Sequence, residues 1–301
     1  MQHNTQYTHT KVVTKMSGFK IQRLWPKSSV DKIAFGFTIT ELTVEGCFEL
    51  FVVIPKLYPE LCVGKVLHTF FGAFLFLNTV GNLFLAMGTD VTSGSTVLPS
   101  ILKPGWKYCP TCMHNAPPRA VHCWACDCCV LKRDHHCIFT GRCIGHKNLR
   151  YYFMAVFYLS MGALYANYLN MDYAMEVMVE NFSFKTFIAM AAPLIGWTLG
   201  LTESLSFFVS FQCGTCMIAS VAFTGLFLYH LQLIVRGQTT HEWRNERERP
   251  YDLGWQKNVE EALGTRWYLV WLFPLLPSPL PGDGVYFRRR DGMAMENIKD
   301  L

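Results

Sequence analysis

Residues 106–152 read WKYCPTCMHNAPPRAVHCWACDCCVLKRDHHCIFTGRCIGHKNLRYY, and this stretch decides how the chain folds. Between positions 109 and 146 it holds eight cysteines and five histidines. CPTC and CWAC are pairs of the kind that open zinc sites. Prolines and glycines interrupt any helix here, so bound metal rather than an apolar core must hold this loop together. Two tetrahedral zinc ions need eight side chains, and spacing alone does not say which eight.

The rest of the chain has the composition of a membrane protein. Hydrophobic residues make up 51% of it and charged residues only 16%, well below the roughly 25% charged residues of soluble proteins. The first residues are polar and basic, which argues against a cleaved signal peptide. Eight of the twelve cysteines cluster with histidines. This clustering indicates metal binding in a reducing compartment rather than disulfides.

Four apolar stretches are long enough to cross a bilayer, which takes about 20 helical residues. These predicted spans are 33–54, 66–87, 151–170 and a segment within 204–235. A shorter apolar run at 187–201 is predicted to be a re-entrant or lumenal segment. A fifth crossing there would place the basic C-terminal tail outside the cytoplasm.

Lysine and arginine set the predicted orientation, because basic residues mark the cytoplasmic side of a membrane protein. The segment before residue 33 carries six, residues 88–150 carry eight and the tail after residue 235 carries ten. The intervening loops are poor in them, with two at 55–65 and one at 171–203. We therefore expect the N-terminus, the cysteine-rich loop and the tail to be cytoplasmic.

The predicted fold is an α-helical integral membrane protein, a four-transmembrane-helix bundle with a cytoplasmic zinc-bound cysteine-rich domain of short strands and loops. Its predicted parts are a cytoplasmic N-terminal segment (1–32), transmembrane helices 1 and 2 (33–87), the cysteine-rich domain (88–150), transmembrane helices 3 and 4 with the segment near 187–201 (151–235), and a cytoplasmic tail (236–301).

Three glutamates recur at helical spacing in the first predicted span. Glu41, Glu45 and Glu49 lie one above another on a helix. Carboxylates at membrane depth are costly and face the bundle or a wet cavity. One interpretation is a polar contact inside the bundle or with a ligand. The other is a position near the interface, or protonated carboxyls bonded to neighbouring helices.

Residues 134–137 read DHHC and combine an acid, two imidazoles and a thiol. A zinc-bound thiolate is quenched as a nucleophile, whereas a free thiolate beside an imidazole is activated. Asp134 can orient His135, and His135 can deprotonate Cys137. His136 lies between them and would fix the backbone if it bound zinc. The alternative interpretation of the whole cluster is a purely structural zinc ribbon.

The stretch from Cys109 to Asn148 resembles the zinc-bound cysteine-rich domain of the DHHC protein S-acyltransferases, or palmitoyltransferases. CPTC, PPRAVHCWACDCCV, DHHC and CIGHKN match in order and spacing. After the last predicted span, RGQTTHE supplies the TTxE motif of that family. GQTTHEW, YDLG and ALGTRWYLVWLFPLLPSPLPGDG further resemble the subgroup that vertebrates number twenty-four.

The resemblance implies a role for each matching residue. The implied ligands of the first zinc ion are Cys109, Cys112, His122 and Cys129, and those of the second are Cys123, Cys126, His136 and Cys143. Cys137 is the implied nucleophile, His135 its base and Asp134 the residue that orients the base. The implied supporting residues from TTxE are Thr240, which contacts Asp134, together with Thr239 and Glu242. Three remaining side chains are expected to be solvent-exposed without a role, namely Cys128, His114 and His146.

The implied activity is transfer of a fatty acyl group from acyl-CoA, such as palmitoyl-CoA, to cytoplasmic cysteines of membrane-associated proteins. The implied mechanism is ping-pong, through an acyl-Cys137 intermediate. The implied cofactors are two structural Zn²⁺ ions, and the lipid bilayer is an implied partner. The family implies an endomembrane location, in the endoplasmic reticulum or Golgi.

Two other functional classes compete with this enzyme. One is a weakly active or inactive membrane adaptor that displays the zinc domain as a docking surface. Ile138-Phe139 stands where the family commonly has Pro-Trp, and Arg142 where it has asparagine, and these departures favour the adaptor. A nucleic-acid-binding zinc finger is disfavoured, because the loop has few basic residues for its length and lies on a membrane.

Overall fold

A computed structural model describes residues 25–178, 192–200 and 203–291 of the chain. The long helices in these residues are α1 (Ser29–Phe48), α3 (Val63–Gly88), α4 (Leu149–Met178) and α6 (Ser204–Val235). The short ones are α2 (Ile54–Leu57), which follows α1 through a π-helical turn (Glu49–Val53), α5 (Pro193–Thr198), α7 (Thr240–Asn245) and α8 (Trp255–Leu263), with a 3₁₀ turn at Ser93–Ser95.

The cysteine-rich region forms three antiparallel two-stranded hairpins. Their strands are β1 (Lys107–Cys109) with β2 (His114–Ala116), β3 (Val121–Cys123) with β4 (Cys128–Val130), and β5 (His135–Cys137) with β6 (Arg142–Ile144). In each hairpin the residue before the second strand has a positive φ: Met113, Asp127 or Gly141. A left-handed residue at this place lets the turn close within a few residues.

The three hairpins rest on a bundle made by α3, α4 and α6. The apolar core joins Leu75 of α3, Phe153 of α4 and Ile234 of α6. The same buried cluster includes Cys137 and Ile144 of the third hairpin, together with α8 residues Val259, Ala262 and Leu263. The third hairpin and the C-terminal tail therefore share one core with the helices.

Two of the helices in the described residues are long and apolar enough to cross a bilayer, namely Val63–Gly88 and Ser206–Val235. α1 and α4 have 20 and 30 residues, but they do not meet the same requirement of apolarity. The predicted number of four crossings therefore stays a prediction. Of the apolar run at 187–201, the structure describes residues 192–200, which contain α5, whereas 187–191 and 201 lie outside the described residues.

Two of the three glutamates of the first predicted span, Glu45 and Glu49, form hydrogen bonds to neighbouring helices. Glu45 Oε2 accepts a hydrogen bond from Gln212 Nε2 of α6 at 2.7 Å, and its Oε1 accepts the Cys216 thiol at 2.6 Å. Glu49 Oε1 accepts from Asn170 Nδ2 of α4 at 2.6 Å. Both interpretations of these glutamates include such bonds inside the bundle, where Glu45 and Glu49 each meet a polar partner away from water.

Asn148 joins the hairpins to the helices. Its fully buried side chain accepts a hydrogen bond from Gly145 N at 2.8 Å and donates to Ala86 O at the end of α3, also at 2.8 Å. A second donation reaches Cys143 O in β6 at 3.1 Å. One amide thus holds the C-terminal end of α3, the strand β6 and the start of α4 together.

We expect Asn148→Ala to lower stability markedly, because it leaves buried backbone groups without partners at about 1–3 kcal/mol each. A loss of about 2 kcal/mol corresponds to a fall of about 3 °C in the unfolding midpoint of a chain of this length. Tryptophan fluorescence of the detergent-purified protein measures this midpoint. Lys147→Ala is the control, since its exposed ammonium reaches only Ser95 Oγ at 3.3 Å; equal midpoints for the two variants would contradict the role of Asn148.

Candidate active site and metal clusters

The first four predicted ligands lie together. The sulfur and nitrogen atoms of Cys109, Cys112, His122 and Cys129 are within 4.8 Å of one another. His122 Nδ1 lies 3.3 Å from Cys112 Sγ and 3.7 Å from Cys109 Sγ. His122 and Cys129 face each other across the second hairpin. The first hairpin therefore supplies the CxxC pair, and the second supplies a histidine and a cysteine in register.

The second set repeats this construction one hairpin later. Cys123, Cys126, His136 and Cys143 also lie within 4.8 Å of one another. His136 Nδ1 is 3.3 Å from Cys126 Sγ and 3.7 Å from the sulfurs of Cys123 and Cys143. His136 and Cys143 pair across the third hairpin. The second hairpin contributes to both sets, so the two clusters are interlaced.

Both donor sets fit a tetrahedral metal ion. Zinc bonds of about 2.3 Å to sulfur and 2.0–2.1 Å to nitrogen place neighbouring donors about 3.5–3.8 Å apart. The separations around His136 span 3.3–3.7 Å. Each set has three sulfurs and one imidazole, so a bound ion would have four protein donors and no position for water. The two clusters can thus hold two metal ions in a structural role.

The catalytic candidates share strand β5 with a member of the second cluster. Side chains alternate between the faces of a strand, so His135 and Cys137 lie on one face and His136 on the other. His135 Nδ1 lies 2.6 Å from Asp134 Oδ2, which leaves Nε2 for the Cys137 thiol. The order Asp-His-His-Cys therefore places the catalytic candidates and the candidate metal ligand on opposite faces of the strand.

Hydrogen bonds set the protonation states of this group. Burial by itself raises the pKa of Asp134, but hydrogen bonding to His135, the nearby imidazoles and Thr240 outweigh burial and lower it. Burial likewise opposes the charged form of His135, yet Asp134 and Cys137 raise the pKa of this imidazole to about 9. Cys137 is buried, but its hydrogen bond with His135 lowers the thiol pKa below its ordinary value. The two shifts have the same sense: each favours the thiolate–imidazolium form of the pair relative to the free side chains.

The tail reaches Asp134 through α7. Thr240 donates to the carboxylate twice, from its backbone N and from Oγ1, both at 2.8 Å. Thr239 caps α7: its Oγ1 accepts from Glu242 N at 3.2 Å, and Glu242 Oε2 accepts from Thr239 N at 2.9 Å. This reciprocal capping box fixes the start of α7 and thereby the donors that face Asp134.

Arg119 holds this tail helix against the cysteine-rich domain. Its Nε lies 2.6 Å from Glu242 Oε1, and its Nη2 lies 2.8 Å from Oε2, with both side chains almost fully buried. The guanidinium also stacks on Tyr251 at 4.2 Å. Burial by itself raises the pKa of Glu242. The charge and hydrogen bonds of Arg119 lower this pKa by more than burial raises it, so the net pKa lies below the ordinary value.

Comparisons with known proteins find matches that cover the residues of this site. The sequence model described as DHHC palmitoyltransferase matches residues 102–247. The chain is 37% identical over 239 residues to the human protein named Probable palmitoyltransferase ZDHHC24, covering 78% of this chain and 81% of that protein. It is 38% identical over 223 residues to the Danio rerio protein of the same name (74% and 75%). It is 30% identical over 246 residues to mouse Palmitoyltransferase ZDHHC22 (75% and 86%). The chain belongs to the DHHC palmitoyltransferase family.

The resemblance to that family, and to its members numbered twenty-four, is thus confirmed. One expectation about the DHHC domain is wrong: His146 is buried rather than solvent-exposed. Burial first, and Lys132 second, lower its pKa to about 4. The neutral ring donates from Nε2 to Gly282 O at 3.0 Å, which ties the domain to the tail. His114 and Cys128 are partly exposed.

Three residues of this DHHC site were not predicted from the sequence. Arg119 could have been found, because a buried Glu242 requires a cation. His230 of α6 lies 3.9 Å from Asp134 Oδ2 through its Nδ1, with its ring 5.6 Å from that of His135; a lone histidine in an apolar span is itself a functional signal. Asn258 of α8 donates to Val235 O at the end of α6, and no sequence period indicates this contact.

The residues that depart from the family's usual motif lie at the rim of the site. Ile138 and Phe139 are 40% and 51% exposed, so they form an apolar surface beside Cys137. Arg142 Nη2 donates to Trp25 O at 3.3 Å. None of these three side chains belongs to the two metal clusters.

We expect Asp134→Asn to shift the reactivity of Cys137 to higher pH. Without the carboxylate the pKa of His135 falls and that of the thiol rises, so less thiolate is present at pH 7, by about tenfold for each unit of pKa. Alkylation by iodoacetamide between pH 5 and 10, followed on the Cys137 peptide by mass spectrometry, measures the shift. If the rate of alkylation on the acid side of this pH profile is the same in Asp134→Asn as in wild type, the prediction is wrong. Asp127→Asn, which changes an exposed carboxylate, is the control.

We expect Arg119→Met to destabilise the protein by about 3–5 kcal/mol, because it leaves the buried Glu242 carboxylate unpaired. The double variant Arg119→Met/Glu242→Gln should recover part of this loss, since glutamine keeps the capping box and carries no charge. Unfolding midpoints at pH 7 measure both. Because the pKa of Glu242 is lowered, this pair contributes above the ordinary pKa of the carboxyl and is lost as the pH falls through the lowered value. Equal loss in the single and double variants would refute the pairing.

Proposed function

We propose that this chain is a protein S-palmitoyltransferase that moves a fatty acyl group from acyl-CoA, with palmitoyl-CoA as donor, to cysteine thiols of membrane-associated proteins. The observation that supports it is the connected group of Asp134, His135 and Cys137, in which a buried carboxylate orients an imidazole against a thiol. Among the eight cysteines of the cysteine-rich domain, Cys137 lies outside both metal clusters and beside an activated histidine. A zinc-bound thiolate would not react in this way.

The reaction that these residues support has two balanced steps. The Cys137 thiolate attacks the thioester carbonyl of acyl-CoA, and the CoA thiolate leaves and takes a proton from His135. In the second step His135 accepts the proton of the substrate cysteine, whose thiolate attacks the acyl-Cys137 thioester. The acyl group moves to the substrate, and the Cys137 thiolate is released. Asp134 stays ionised and stabilises the imidazolium that forms.

Two Zn²⁺ ions are the proposed structural metals of the two donor sets. When bound, they would brace the hairpins, because a closed three-sulfur, one-nitrogen set has no open position for catalysis. The eight proposed ligands are Cys109, Cys112, His122 and Cys129 for the first ion, and Cys123, Cys126, His136 and Cys143 for the second. The backbone of β5 would be held on one side while His135 and Cys137 stay free on the other.

The proposed topology has four crossings, with the N-terminal segment (1–32), the DHHC domain (88–150) and the tail (236–301) on the cytoplasmic side. The spans would lie in 33–87 and 151–235. The lysine and arginine distribution supports this arrangement. We propose an endomembrane location, in the endoplasmic reticulum or Golgi.

A membrane adaptor without catalysis is disfavoured. A docking role does not require a buried carboxylate, such as that of Asp134, which accepts three hydrogen bonds.

Palmitoyl transfer is tested with purified protein and labelled palmitoyl-CoA. Wild type is expected to form a hydroxylamine-sensitive adduct that Cys137→Ser abolishes. Cys128→Ser is the matched control, since this thiol lies in the same domain, outside both clusters, and the variant should keep the adduct. An adduct of equal strength in Cys137→Ser would sink the catalytic assignment. No adduct in folded wild type with both metals bound would favour the adaptor.

A further inference from the structure

The first residues of the described chain lie across the second metal cluster. We call residues 25–31 the N-terminal clasp. Lys27 Nζ donates to Cys126 O at 3.0 Å, and Trp25 O accepts from Arg142 at 3.3 Å. Pro26 packs on Gly141, where a Cβ on that glycine would come within 2.5 Å of the proline ring. These three contacts all fall on the CxxC turn or the hairpin that supply the second donor set.

Asp31 makes the closest approach of the clasp to this cluster. Its carboxylate is 3% exposed, and Oδ2 lies 3.2 Å from His136 Nε2. Asp31 stands in the first turn of α1, where the cap formed by Ser28 Oγ with Asp31 N at 3.0 Å fixes the backbone. A buried carboxylate is costly unless it is paired, so this placement indicates a specific partner.

The partner atom is the outward nitrogen of a proposed metal ligand. His136 Nδ1 faces three sulfurs, so its lone pair is turned to the metal position and the proton lies on Nε2. Nε2–H therefore donates to Asp31. A carboxylate that accepts from a ligating histidine fixes the tautomer and ring orientation and raises the basicity of the ligand.

The first cluster lacks an equivalent buried partner. His122 Nε2 lies 3.9 Å from Asp127 Oδ1, beyond hydrogen-bond reach, and the Asp127 side chain is 73% exposed. Water screens such a contact. The two clusters thus share a donor set and a hairpin design, but the ligand histidine of the second one alone has a buried carboxylate among the described residues.

We propose that Asp31 is a positioning residue for the second zinc ion, and that through it the N-terminal clasp couples the start of α1 to the strand that carries the catalytic candidates. The inference rests on the proposed zinc ligands. His136 stands between His135 and Cys137 on β5, so the orientation of its ring sets the backbone that carries both catalytic candidates. Arg142 adds a hydrogen bond to the same clasp through Trp25 O.

Zinc release from the full-length, zinc-replete protein tests this role without using catalysis. A chromophoric chelator follows release, and alkylation with mass spectrometry shows which cysteines become accessible. Wild type is expected to hold two zinc ions. In Asp31→Asn one of the two is expected to leave at least about tenfold faster. Cys123, Cys126 and Cys143 should then be alkylated, while Cys109, Cys112 and Cys129 stay protected. Asp31→Glu, which keeps the carboxylate, should slow the release again.

Asp127→Asn is the matched control and should release zinc within about twofold of wild type, since an exposed carboxylate contributes little. Arg142→Asn loosens the clasp without touching the carboxylate. It should accelerate release from the same three cysteines by a smaller factor, and it tests the proposal if Asp31→Asn does not fold.

The outcomes separate the role of Asp31 from the zinc assignment. Fewer than two zinc ions in wild type would overturn the ligand assignment and this proposal with it. Two zinc ions with equal release from Asp31→Asn and Asp127→Asn would overturn the role of Asp31 alone. Equal exposure of both cysteine sets in Asp31→Asn would show general unfolding and would also overturn it. The palmitoyl adduct of Cys137 is measured separately, so loss of transferase activity does not enter this result.

Discussion

The rest of the structure depends on the buried carboxylate of Asp134. It lies next to the imidazole of His135 and receives both the backbone N and the hydroxyl of Thr240. A buried ion is tolerated only when donors surround it, so the tail must fold back to the cysteine-rich domain for the site to exist. The capping box of α7 and the Arg119–Glu242 pair both serve to hold those donors in place.

In the cysteine-rich domain, candidate metal ligands take the place of the apolar side chains that hold most domains together. Six three-residue strands cannot bury enough apolar surface to be stable alone. Interlacing the donor sets makes the second hairpin part of both clusters, so bound ions would join the three hairpins into one unit. The third hairpin then inserts Cys137 and Ile144 into the core that α3, α4 and α6 share. The position of the Cys137 thiol is thereby tied both to the second cluster and to the helices.

Much of this site was predictable because the chemistry requires particular residue types at close spacing. Paired CxxC motifs with nearby histidines have the ligand spacing of zinc sites, and DHHC combines an acid, a base and a thiol within four residues. Partners far apart in sequence were harder to foresee. Asp31 and His136 are 105 residues apart, and Arg119 and Glu242 are 123 apart. His146 was expected to be exposed, yet the tail covers it, because no local pattern reports what a distant segment will pack against.

By itself the sequence determined the family, the cysteine-rich domain with its candidate ligands and nucleophile, and the membrane character of the chain. These follow from local spacing and composition, which tertiary packing does not change. Only the tertiary structure decided which carboxylates meet distant imidazoles: Asp134 with His230, and Asp31 with His136. The same holds for Glu45 and Glu49, whose partners lie on α6 and α4. Such pairs depend on how helices and hairpins pack in three dimensions, because the free energy of a buried polar group is set by the distant groups that surround it.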